Sequence, residues 1–109
     1  MKPLIHKDIE ERWKTLSLME QLGNIGSEVS RASKWEVKDE KIFQNAVDRA
    51  LELFDITLAD ERWKGRRNEI ARAREVFVDA VLGGKEYKST FEGINKYFLE
   101  FAYASAINK

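Results

Sequence analysis

Apolar residues recur along most of this chain at intervals of three and four, the spacing that lines one face of an α-helix. Leu18, Leu22, Ile25, Val29 and Ala32 mark a first helix to about Trp35, and Ser17 with Glu20 forms a capping box at its start. Asp39 is placed as the N-cap of a second helix, from about Glu40 to Ala59, with Ile42 or Phe43, Ala46, Val47, Ala50, Leu51, Phe54 and Leu58 inward. A third runs from about Arg66 to Leu82 on Ile70, Ala73, Phe77, Ala80 and Val81, and Gly83-Gly84 ends it. Ser89 with Glu92 reads as a second capping box, opening a fourth helix to about Ala106 on Phe91, Ile94, Phe98, Phe101 and Ala102. Residues 1–16 read as a lead-in arm, in which Asp8 caps no more than a short turn reaching Trp13. Asp60 to Arg67 reads as a polar loop containing a helical turn. Helices of similar length with short connections predict an all-α fold, a four-helix up-down antiparallel bundle formed by residues 17–109.

Composition agrees with that pattern. A single Pro, at position 3, leaves the turn chemistry of an all-β chain unsupplied. Hydrophobic residues make up 43% of the 109, enough for one core but not for two domains. Nineteen basic and nineteen acidic side chains cancel, whereas a general nucleic-acid binder carries a basic excess. The absence of Cys removes disulfides, thiolate metal sites and Cys nucleophiles. No apolar run is long enough for a membrane span, and the charged stretch Met1 to Trp13 lacks the core of a signal peptide. The expected address is the cytoplasm. Gly23, Gly26 and Ser30 lie near the first stripe, where small residues either let a neighbouring helix approach or form a notch for a ligand.

Catalytic chemistry is sparse. His6 is the only histidine and lies in the arm, which disfavours a Ser-His-Asp triad, a His-rich zinc site or a His general base in the bundle. Gly83-Gly84-Lys85 is not a phosphate loop, because Glu86 stands where Ser or Thr is required and a helix precedes it. Carboxylates remain. Asp48, Glu52 and Asp55 share one face of the second helix, Glu75 and Asp79 stand one turn apart on the third, and Glu28 borders the first stripe. Arg74 lies on the Ile70, Phe77, Val81 stripe, where a charge needs a partner such as Glu28 or a route to water. Glu28, Arg74, Glu75 and Asp79 are thus the candidate catalytic residues, and Glu52 and Asp55 the candidate metal ligands. Arg62, Trp63, Lys64, Arg66, Arg67 and Arg72 interleave a ring with cations, but Asp60, Glu61 and Glu69 dilute the run. A solvated loop anchored by Trp63 is the expected reading.

Glu52-Leu53-Phe54-Asp55 resembles the E-x-x-D motif of all-helical nucleotide pyrophosphohydrolases of the MazG and dUTPase type. Their E-x-x-E motif is missing from the first helix, where Arg31 follows Glu28 and Gly23 follows Glu20 at the required spacing. That resemblance implies a Mg- or Mn-dependent nucleotide phosphohydrolase as the alternative function. Gly26 to Ala32, Arg49 to Leu53 with Asp55, Arg74 to Asp79, Glu86 to Thr90 and Tyr97-Phe98 also resemble a group of small prokaryotic helical proteins with no assigned activity. The bundle is distantly similar to HEPN domains too, although their ribonuclease motif of Arg followed by His cannot be met by His6. The leading expectation is a non-catalytic interaction or dimerisation module without a cofactor. Phe91, Tyr97, Phe98, Phe101 and Tyr103 spread rings around the fourth helix, the composition of a dimer face.

Overall fold

The computed structural model of the chain describes residues 11–84, 90 and 92–98, and their regular structure is helical throughout. A helical turn at 11–13 leads into α1 (Leu18–Trp35), α2 (Glu40–Leu58), a 3-10 helix (Glu61–Arg66), α3 (Arg67–Val81) and the helical residues 92–98, here α4. No helix among the described residues is long and apolar enough to cross a membrane.

The ends of these helices are set by local chemistry. The Ser17 side chain accepts from the Glu20 N–H while Glu20 Oε1 accepts from the Ser17 N–H, the reciprocal box that the sequence predicts. Asp39 Oδ1 accepts from the N–H groups of Lys41 and Ile42 and starts α2. At the end of α3, Gly83 and Gly84 have φ of 106° and 75°, which Cβ-bearing residues adopt only with strain. Their N–H groups donate to the carbonyls of Ala80 and Asp79, a Schellman closure. Ser89 lies outside the described residues. Within them, Thr90 Oγ1 accepts from the Gly93 N–H at 3.1 Å at the start of α4.

Four residues connect α1 to α2, and the beginning of α1 returns beside the end of α2, where Gln21 reaches Asp60. The two helices therefore form an antiparallel hairpin, and α3 packs on α2. Ile25, Val29 and Ala32 meet Ala46, Val47, Ala50 and Phe54 in a core with almost no exposed surface. Phe54 is its centre: its ring lies 6.1 Å from Phe77 of α3 and 5.9 Å from Phe98 of α4, the latter edge-on. A Cβ built on Gly26 would lie 2.7 Å from Phe98 Cβ, so this glycine is where α1 and α4 touch. The small residue serves helix approach and leaves no notch at this point.

Residues 1–10 of the lead-in arm lie outside the described residues. Residues 11–16 belong to the folded body, because Trp13 is buried and Leu16 packs against the core. The polar loop from Asp60 is likewise ordered as a 3-10 helix, with Asp60 as its N-cap.

Gly26→Ala is expected to lose about 1–2 kcal/mol in urea unfolding, the overpacking against Phe98 exceeding the gain of about 1 kcal/mol in helix propensity. Gly65→Ala, with no atom within 4 Å of the added methyl, should be neutral or slightly stabilising.

Candidate functional site

Gln21 is fully buried on the inner face of α1, a position where an amide is costly unless satisfied. Its Nε2 donates to the Trp13 carbonyl at 2.8 Å and to Asp60 Oδ2 at 3.2 Å, and its Oε1 accepts from Trp63 Nε1 at 3.0 Å. Trp13 Nε1 in turn donates to Thr57 Oγ1 at 2.9 Å, and that hydroxyl donates to the Leu53 carbonyl. Gln21 thus ties the arm, α1 and the 3-10 helix together, and Trp13 extends the network to the end of α2.

Asp60 completes the network. Arg62 donates to it through its backbone N–H, its Nε at 3.1 Å and a terminal guanidinium nitrogen at 2.7 Å. Those bonds stabilise the carboxylate more than burial penalises it, holding Asp60 at about 2 instead of 3.8. The same pairing raises the pKa of Arg62, whose guanidinium also lies over the Trp63 ring.

The rest of the basic run is similarly engaged. Arg66 pairs with Glu69, and Arg67 donates to the Leu58 carbonyl at 2.9 Å while lying 3.4 Å from Glu61. Trp63 is the anchor expected of it, its indole N–H turned inward to Gln21.

Of the sequence-derived candidates, Arg74 and Asp55 are brought together. Arg74 donates from Nε to Asp55 Oδ1 at 3.0 Å, joining α3 to α2, and Asp55 is 60% exposed. Glu28 is 3.6 Å from Arg31 on its own helix and is not the partner of Arg74. Glu52 is half-buried on α2, Glu75 is exposed, and Asp79 is buried near the end of α3. Asp48 accepts from Gln44. Among the described residues no group of three or more His, Asp or Glu side chains is arranged to hold a metal ion. His6 lies outside them.

The described residues also form recesses. One, of about 460 Å³, lies between α3 and α4 over Ala73, Val76, Ile94 and Phe98, with Tyr97, Glu69 and Arg72 at its edge. Another, of about 520 Å³, opens where the arm meets α1 and α2 and carries the charged groups of Arg12, Glu28 and Arg49.

No family model, curated protein or solved structure matches the chain. Its function is read from these residues alone.

Gln21 is absent from the sequence-derived set, although a signal exists. It sits one position before Leu22 and three after Leu18, on the flank of the apolar stripe, where a polar residue is expected to need a partner. What spacing cannot supply is the partner, since Trp13, Asp60 and Trp63 are remote in sequence.

Gln21→Leu is expected to lose on the order of 3 kcal/mol in urea unfolding, because a Trp63 N–H and a Trp13 carbonyl are left buried without partners. Asp60 titrates lower in the folded chain than in the unfolded one. Its contribution is therefore complete above the ordinary carboxylate value of 3.8 and is lost as pH falls through that value towards 2. The stability gap between the native chain and Asp60→Asn should narrow over that interval, measured by urea denaturation at a series of pH values.

Proposed function

We propose that the chain is a non-catalytic, cytoplasmic interaction module of prokaryotic type that self-associates as a homodimer. In this reading α4 completes a four-helix up-down antiparallel bundle, and the recess between α3 and α4 receives a second copy of the chain. The observation that carries the proposal is the apolar character of that recess, with Val76 half-buried inside it and Tyr97 about half exposed at its edge. Interface centres favour aromatic side chains and few charges, and this surface has that make-up.

A second copy is the occupant this reading commits to: in a two-fold contact the same apolar patch faces itself, so Val76 and Tyr97 of one copy are carried towards those of the other. Arg74 is engaged by Asp55 and Glu28 lies beside Arg31, which fits the non-catalytic part. No observation on the described residues favours the magnesium-dependent phosphohydrolase.

Sedimentation velocity over a wide concentration range is expected to show a monomer–dimer equilibrium. Tyr97→Glu, a change at an exposed position, should raise the dimer dissociation constant by about tenfold or more. A strict monomer at the highest concentration would overturn the dimer.

A further inference from the structure

The cleft between the arm, α1 and α2 differs from every other charged region described above: its charges have not been spent on one another. Arg49 of α2 is half-buried, and among the described residues it has neither an ion pair nor a side-chain hydrogen bond. Arg12, on the turn of the arm, is also without an acidic partner among them. On the opposite helix, Glu28 Oε1 is buried and has no hydrogen-bond partner; its nearest cation, Arg31, is 3.6 Å away and half exposed. All three line one cavity of about 520 Å³.

A buried carboxylate oxygen without a donor is destabilising, and the Arg49 guanidinium has no acid among the described residues to neutralise it. A ligand that carries the two complementary groups meets both. We propose that this cleft binds a small phosphomonoester that also bears an amino group, with Arg12 and Arg49 holding the phosphate and Glu28 accepting from the amine. The class follows from the chemistry of the walls. Two guanidinium forks from different elements suit the several oxygens of a phosphate, whereas a carboxylate is satisfied by one fork. Glu28 offers only acceptors and so selects an N–H donor. Leu16 and Leu53 give the uncharged body of the ligand an apolar wall, and the volume lies within the range of small-molecule sites. The site is independent of the proposed dimer face, which lies between α3 and α4.

Isothermal titration of the full chain tests this with three probes: glucosamine 6-phosphate, glucose 6-phosphate and AMP. The first two differ only by an amine in place of a hydroxyl. Glucosamine 6-phosphate is expected to bind about tenfold more tightly than glucose 6-phosphate, and Glu28→Gln should reduce that ratio to near one. Arg49→Gln should weaken both sugar phosphates by about tenfold or more, and the exposed Arg12→Gln provides a second phosphate variant should Arg49→Gln not fold. Tighter binding of AMP than of glucosamine 6-phosphate would place the amine on a planar base, within the same proposal. No binding of either aminated probe at millimolar concentration would overturn it, as would equal affinity for the two sugar phosphates or affinity insensitive to both arginine variants.

Discussion

The fold depends on the satisfaction of one buried amide. Gln21 has two N–H donors and a carbonyl with two lone pairs, and in a core position each unmet group costs free energy of the same order as a core methyl or two. Both donors and one lone pair are met, by Trp13, Asp60 and Trp63. Those partners come from two segments that helical periodicity leaves unassigned: the arm, and the 3-10 helix with its N-cap Asp60. Hydrophobic burial is non-directional and accepts several registers of such segments against the hairpin. The amide accepts only the one in which all three partners arrive together. Asp60 is then fixed a second time by Arg62, so the network is anchored from the solvent side as well.

The remainder of the core is apolar and less particular. Phe54 gathers Phe77 and Phe98 around it, and Gly26 admits α4 to the distance at which those rings can meet. These two features have different kinds of specificity. An aromatic cluster tolerates rearrangement as long as its volume is filled, whereas the approach at Gly26 is set by backbone and Cβ atoms that have no rotamer to change.

Much of this was legible from the sequence, and the boundary between what was and was not is physical. Ser17 with Glu20, Asp39, and Gly83-Gly84 act on their own neighbours within a few residues, so the ends of α1, α2 and α3 follow from the chain itself. The stripes through Ile25, Val29, Phe54 and Phe77 are periodic and are buried as periodicity requires. Trp13 was misplaced in a loose arm because its apolar surroundings are supplied by residues far along the chain, and no local pattern announces that. The partner of Arg74 was missed for the same reason. Its position on an apolar stripe predicts that a partner or an outlet is needed, but the choice between Glu28 and Asp55 depends on how α3 crosses α2. Asp55, on an exposed face, keeps Arg74 at the edge of the core, where such a pair contributes little beyond neutralisation.

Charge management then separates two parts of the surface that composition treats alike. From Asp60 to Glu69 acids and bases alternate closely enough to find each other, and the described pairs account for Arg62, Arg66 and Arg67. An equal number of acids and bases in the whole chain suggests the same outcome everywhere, yet it does not follow. Arg49 and Glu28 lie on facing helices around one cleft without forming a pair, although helix packing brings them into a common wall. Glu28 has only the half-exposed Arg31, 3.6 Å away, and its Oε1 is buried without a hydrogen-bond donor. The cleft and the Gln21 network share Trp13, which lines the one and is held by the other. The network that fixes the arm therefore also fixes one wall of the cleft.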